Sequence, residues 1–195
     1  MSSFFWNTAS QINNMKAPIT TELGAIATAY DYGAGELSTS GALQPGLVYE
    51  TTTTDYLNFL CYHGYNTSTI KIISKDVPAG FTCPKDSRVD LISNINYPSI
   101  AVFNLIGKQS RNITRTLTNV AGDGNTIYSL TIEASSNLTV AVSPTSLQFK
   151  KNGQRLSYEV IFTPTVSSLQ KEVFGSIIWT SQKIKVRTPF VASSR

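Results

Sequence analysis

Leu156-Ser-Tyr-Glu-Val-Ile-Phe-Thr163 places Leu156, Tyr158, Val160 and Phe162 on one side of the chain and Ser157, Glu159, Ile161 and Thr163 on the other. A period of two is the mark of a strand with one face in a core. The pattern repeats on both sides. Tyr128, Leu130 and Ile132 alternate with Ser129, Thr131 and Glu133, and Leu138, Val140 and Val142 with Thr139, Ala141 and Ser143. Leu147 and Phe149 follow Pro144, and Ile177 and Trp179 precede Ile184, Val186 and Phe190. Asp123-Gly124, Ser143-Pro144, Asn152-Gly153 and Thr163-Pro164 punctuate the runs. Roughly seven or eight short strands, with turns about every 8 to 12 residues, predict an antiparallel β-sandwich over residues 96–193. Asn152-Gly153, between Lys151 and Gln154, predicts a two-residue hairpin. Arg115 breaks the pattern, because it shares the face of Ile113 and Leu117. Either a bulge re-aims it or its head snorkels from the sheet edge.

Hydrophobic residues make up 41% of the 195 and charged residues 14%, which allows a core and argues against disorder and coiled coil. Ser and Thr, 23 of each, add to the lean toward strands. No apolar run approaches the roughly 18 to 20 residues of a membrane span. The formal charge of +4 divides into −3 for residues 1–100 (5 basic, 8 acidic) and +7 for residues 101–195 (11 basic, 4 acidic). The basic residues are scattered along alternating segments instead of forming a stripe with interleaved aromatics, so nucleic acid is not an expected partner.

Upstream of residue 96 the alternation stops. Phe4, Phe5, Thr8, Ile12 and Met15 can share one face of a helix from Ser3 to Met15, with Pro18 as its stop. A single helix has nothing to pack on and reads as the tail of a larger domain. Gly24, Gly33, Gly35, Gly41, Pro45 and Gly46 then break the chain. Thr53 or Thr54 caps a short helix reaching Tyr62, with Asp55 in its first turn and Tyr56, Leu57, Phe59 and Leu60 inward. A second helix, about Ser68 to Ser74, carries Ile70 and Ile73. Residues 96–193 therefore hold all the strands of one sandwich and are expected to fold alone. Residues 1–95 are expected to need a partner.

The chemistry of a catalytic site is thin. His63 is the single histidine, two residues after Cys61, and reads as structural or solvent-facing; catalytic residues are expected to be none. No phosphate-binding loop, nucleophile elbow or zinc-protease motif occurs, and no cofactor is expected. Cys61, His63 and Cys83 offer three zinc ligands where a structural site wants four, so no metal is expected. A Cys61–Cys83 disulfide is the better reading if the chain is oxidised, worth roughly 3 kcal/mol by loop closure. Asn66-Thr-Ser, Asn112-Ile-Thr and Asn137-Leu-Thr are glycosylation sequons. With 13 Asn and 46 Ser or Thr in 195 residues, chance yields about three, so they fit secretion without arguing for it.

Two series of motifs resemble a known family. Tyr30-Asp-Tyr-Gly-Ala-Gly35, Pro45-Gly-Leu-Val-Tyr-Glu50 and Asp55-Tyr-Leu-Asn-Phe-Leu-Cys61 resemble the end of the catalytic domain of plant subtilisin-like serine proteases, the subtilases. Ile95-Asn-Tyr-Pro-Ser-Ile-Ala-Val102, Arg115-Thr-Leu-Thr-Asn-Val120, Val142-Ser-Pro-Thr-Ser-Leu-Gln-Phe149, Phe174-Gly-Ser-Ile-Ile-Trp179 and Val186-Arg-Thr-Pro-Phe-Val191 resemble the fibronectin type III-like domain of the same proteases. The order holds from about residue 7 to residue 193. Glu36 stands where many members have His, Ser38-Thr39 replaces Asn-Pro, and Gln182-Lys183-Ile184 replaces the usual Gly and His.

The resemblance implies a mainly β chain. Residues 1–95 would be an irregular α/β remnant of the peptidase domain and residues 96–193 a fibronectin type III-like sandwich. The family's G-T-S-M-S serine motif and its oxyanion-hole asparagine are absent from the sequence, so the chain alone is expected to be non-catalytic. Its implied role is a module supporting the catalytic domain, its intramolecular partner in the parent protease. An alternative is an independent binding or decoy module acting on intact subtilases. The family carries this Cys61–Cys83 pair as a disulfide and is secreted to the cell wall space. Met1-Ser-Ser-Phe-Phe-Trp6 has no basic start and an apolar run of three residues, which is not a signal peptide. As written, the chain is expected to be a cytosolic, truncated product with reduced thiols.

Overall fold

Eight strands follow residue 99 in the computed structural model, which describes residues 4–107, 109–169, 171–182 and 184–194. Preceding them are α1 (Phe4–Asn7), α2 (Ala29–Tyr32), α3 (Thr39–Leu43), β1 (Leu47–Val48), α4 (Thr53–Tyr62), α5 (Thr67–Ile73) and a 3-10 helix at Val89–Asn94. The strands after them are β2 (Ile100–Val102), β3 (Arg111–Asn119), β4 (Thr126–Glu133), β5 (Leu138–Ser143), β6 (Ser146–Phe149), β7 (Arg155–Pro164), β8 (Val173–Ser181) and β9 (Ile184–Ala192). They form two sheets, in the orders β1-β3-β7-β5 and β2-β9-β8-β4-β6. Every pairing is antiparallel except β2 with β9, which run parallel.

The alternating residues meet between the sheets as the pattern requires. Tyr158 and Phe162 of β7 point from one sheet, Trp179 of β8 and Phe190 of β9 from the other. Tyr158 packs edge-on against Trp179 with ring centroids 5.2 Å apart, and Phe162 against Phe190 at 5.1 Å. Such pairs add about 0.5–1.5 kcal/mol beyond the area they bury. Gly175 makes the second pair possible: a Cβ there would sit 2.2 Å from the Phe190 ring and 2.3 Å from the Glu133 carbonyl oxygen.

Three expectations are corrected. First, Asn152-Gly153 forms a turn, with Gly153 at φ 72°, but not a hairpin. It joins β6 to β7, which belong to opposite sheets. Neighbouring groups take up its polar atoms: Asn119 exchanges bonds with Gly153 and Gln154, and the Asp123 carboxylate accepts from the Asn152 N–H at 2.9 Å. The hairpin that does form is β8–β9. It turns at Gln182, with φ 48°, and Lys183 beside it lies outside the described residues.

Second, residues 96–193 do not hold every strand. Leu47 and Val48 of β1 pair with Asn119 and Thr118 of β3, and Leu47 and Tyr49 belong to the sandwich core. Third, the helix expected from Ser3 to Met15 stops at Asn7. Ser10 pairs with Glu36 and Ile12 with Pro18 in isolated bridges, and the Asn13 side chain turns the chain by accepting from the N–H groups of Met15 and Ala17. Asn competes for backbone groups in this way and disfavours helix.

The two later helices stand near their expected places. α4 is capped by Thr52, one residue before the expected cap, in a reciprocal box with Asp55. Leu57 and Cys61 are its buried residues, while Tyr56 is exposed. α5 buries Ile70 and leaves Ile73 exposed.

Gly175→Ala is expected to cost about 1–3 kcal/mol by overpacking, read as a lower urea midpoint with an unchanged slope.

Candidate functional site

The residues that stand out are those where the region before residue 96 grips the sandwich. Tyr49, just past β1, enters the gap between the sheets. Its hydroxyl lies 2.5 Å from the Tyr158 hydroxyl of β7 and 2.6 Å from Thr188 Oγ1 of β9. One side chain from outside the strand-rich segment thus touches both sheets. Burial pushes the Tyr49 phenol well above the ordinary tyrosine value, with the neighbouring Tyr158 adding to the effect. Burial also raises Tyr158. Just before β1, Gly46 fits against the second sheet with φ 72°. A Cβ there would meet Ile184 at 2.5 Å and the Tyr128 hydroxyl at 2.7 Å.

Arg115 neither bulges nor snorkels. The β3–β7 register runs unbroken from Arg111 to Thr118, and Arg115 is only 1% exposed. Its guanidinium donates to three carbonyls: Nε to Tyr97 at 3.1 Å, Nη1 to Thr114 at 3.0 Å and Nη2 to Ser99 at 3.1 Å. Beside it, Asn96 acts as a one-residue strand. Its side chain accepts from the Thr116 N–H at 2.8 Å and donates to the Thr116 carbonyl at 2.9 Å and the Glu50 carbonyl at 3.0 Å. The Asn96-Tyr-Pro-Ser99 segment is therefore pinned to the open edge of β3. Burial lowers the Arg115 pKa from its ordinary value.

Arg187 of β9 makes the third grip. Its Nη2 donates to the carbonyl of Ala34, just past α2, and its Nη1 to Ser176 Oγ at 3.4 Å. Burial lowers its pKa, opposed by Tyr32 and Glu133. Tyr49, Asn96, Arg187 and Thr188 were not singled out by the pattern of the sequence, although each lies in or beside a motif quoted above. A polar residue on an inward face is the signal for Arg115; for the rest no local signal exists.

The residues singled out from sequence lie elsewhere. Cys61 and Cys83 are bonded to each other, with Cα atoms 5.6 Å apart. They sit in a small second core with Leu57, Ile70 and Phe81. His63 ends α4 on the surface, its ring edge-on to Phe59. Asn66 caps α5 by accepting from the Thr69 N–H at 2.9 Å. Asn112 lies exposed on β3, and Asn137 in the exposed turn before β5. Among the described residues no cluster of three His, Cys, Asp or Glu side chains could hold a metal, and no helix is long and apolar enough to cross a membrane.

The mainly β, two-sheet sandwich is consistent with a fibronectin type III-like domain. The family model described as Fibronectin type-III domain matches residues 94–192, and the chain belongs to that family. Over almost its whole length the chain also matches the C-terminal region of plant subtilisin-like proteases. It is 54% identical over 192 residues to the CO(2)-response secreted protease of Arabidopsis thaliana, covering 98% of this chain and 25% of that protein. It is 48% identical to Subtilisin-like protease SBT5.1 of the same plant, over 99% of this chain and 25% of that protein. With its Subtilisin-like protease SBT5.3 the identity is 36%, over 97% and 24%. The chain thus spans about a quarter of the length of these relatives.

Tyr49→Phe is expected to cost about 1–3 kcal/mol, because it strips two buried hydroxyls of their shared partner. Tyr128→Phe should be neutral or stabilising, since the buried Tyr128 hydroxyl has no hydrogen-bond partner among the described residues and its pKa is pushed up to about 12 by burial. Both are read by urea unfolding. The raised phenols also set an alkaline limit. Stability from keeping Tyr49 and Tyr158 neutral is complete below the ordinary tyrosine pKa of about 10. It is lost as the pH climbs from there through their higher folded values. Phenolate absorbance should therefore rise together with unfolding above that pH, and at a lower pH in Tyr49→Phe.

Proposed function

We propose that this chain is the non-catalytic C-terminal part of a subtilisin-like serine endopeptidase. In this reading residues 1–95 are the end of the peptidase domain, and residues 96–193 are the fibronectin type III-like domain that buttresses it. The supporting observation is where apolar side chains remain uncovered. Of nineteen large hydrophobics exposed among the described residues, thirteen lie before residue 96, among them Leu23 at 90%, Leu43 at 83% and Met15 at 79%. Large apolar side chains uncovered in the stretch that would continue a peptidase domain are what its remaining part would cover, and the three polar grips tie that stretch to the sandwich at Ala34, Tyr49 and Asn96. A buttress needs both properties.

An extracellular location follows from the same reading. A disulfide persists in an oxidising compartment, the most similar of the relatives quoted above is named a secreted protease, and Asn66, Asn112 and Asn137 are all exposed. At Asn66 the cap uses Oδ1, which leaves the amide nitrogen for a glycan.

The purified chain is expected to turn over no peptide and to take no fluorophosphonate label. Co-expressed with the catalytic portion of a subtilisin-like protease, it should co-purify and lose binding of a hydrophobic dye. Stoichiometric labelling, or dye binding unchanged in the complex, would overturn the reading. Produced behind a secretory leader, the chain should carry no free thiol, and reducing it should cost about 3 kcal/mol of stability. Two free thiols in the secreted form would exclude the proposed compartment.

A further inference from the structure

The two sheets end in β1 and β5, and in β2 and β6. β1, β2 and β6 have two, three and four residues, whereas β5 has six. β5 is therefore the longest stretch of sheet edge. Its register with β7 fixes which backbone groups face away. The Thr165 N–H donates to the Asn137 carbonyl at 3.0 Å, one step beyond the Leu138–Pro164 pair. Bonded and non-bonded pairs alternate along an antiparallel ladder. Thr139, Ala141 and Ser143 thus turn their N–H and C=O groups toward β7. Pro164, opposite Leu138, has no N–H to donate, which agrees with that phase. Val140 and Val142 turn both groups outward. Leu138 turns out its carbonyl, while its N–H donates to the Ser135 carbonyl at 3.1 Å.

Sheet edges are commonly guarded by charge, proline, a bulge or cover. β5 contains no charge and no proline, and its register with β7 is unbroken over all six residues. No charged residue occurs from Ala134 to Phe149. Among the described residues β7 is the single strand neighbour of β5. The side chains on its exposed face, Thr139, Ala141 and Ser143, are small, so a strand can lie alongside. β6 shares the uncharged stretch but is shorter and runs into Lys150-Lys151.

We infer that a second copy of this chain occupies that edge, with the two β5 strands antiparallel about a two-fold axis at Val140. The edge is complementary to itself in that register. The two Val140 residues exchange a pair of hydrogen bonds, and each Val142 N–H reaches the Leu138 carbonyl of the other copy. Thr139 then faces Ala141 across the axis. A two-fold axis sets a strand against its own sequence, and like charges directly opposite are destabilising; the lack of charge on β5 removes that obstacle. The two four-stranded sheets become one. The inference does not rest on the buttress reading, because β5 lies outside residues 1–95.

The test uses the full chain without a glycan, since the Asn137 sequon abuts this edge. Sedimentation velocity over roughly 1 to 200 μM is expected to show a reversible monomer–dimer equilibrium. Raising the concentration should slow amide exchange at Val140 and Val142 about tenfold or more, while Thr139 and Ala141 stay slow throughout. Thr139→Lys with Ala141→Lys sets Lys opposite Lys twice and should weaken the dimer about tenfold or more. Thr139→Glu with Ala141→Lys sets Glu opposite Lys twice and should restore it to within about threefold. Both variants change only the exposed face of β5 and should leave the melting temperature of the monomer in place. A monomer at every concentration, growth beyond a dimer, or equal weakening by the two variants would each overturn the inference. So would an association that neither variant alters, as one through the apolar surface before residue 96 would be.

Discussion

The Tyr49 hydroxyl, held between Tyr158 and Thr188, is the constraint on which the rest of the structure depends. Polar groups between two sheets are tolerated only when they satisfy one another. Tyr158 and Thr188 come from opposite sheets, and the Tyr49 hydroxyl bonds to both. The side chain that completes them arrives from a stretch that pattern reading treats as irregular. The sandwich core is therefore not closed by the eight strands after residue 99.

The two buried arginines extend the same logic. Arg115 gathers the carbonyls of the segment leading into β2, and Arg187 reaches the carbonyl of Ala34. Charge-assisted bonds to carbonyls are stronger than neutral ones, and they orient backbone that has no regular structure of its own. Asn96 does this without charge, by presenting its amide to β3 as a neighbouring strand would. Irregular chain is thus fixed at three places on the sandwich. The segments so fixed belong to or border the region before residue 96, where Met15, Leu23 and Leu43 stand exposed.

The second core, around the Cys61–Cys83 bond, is of another kind. It is small, built from Leu57, Cys61, Ile70 and Phe81, and too slight to hold α4 and α5 by burial alone. The covalent link supplies what area cannot. It also keeps α4 in place as one wall of a cleft whose lining includes Arg115, so the small core, the buried cation and the polar grip form a continuous structure.

The strands from Tyr128 to Phe190 were legible in the sequence, because a period of two in apolar residues is a local property and one sheet face in a core enforces it. The cap of α4 was legible within one residue for a similar reason: Thr and Asp three apart satisfy each other across a single turn. Which strands pair was not legible. Asn152-Gly153 has the chemistry of a hairpin, yet Asn119 and Asp123, distant in sequence, take its backbone groups and send β7 into the other sheet. The helix expected past Asn7 failed on the same ground, since Ser10 found Glu36. Arg115 was visible as an anomaly, but its resolution depended on carbonyls 16 and 18 residues away. The sequence by itself determined the strands, the caps and the polar residue out of place. Only the tertiary structure decided their partners, because a buried hydrogen bond or a sheet register depends on which groups folding brings within 3 Å or so of one another, not on how near they are along the chain.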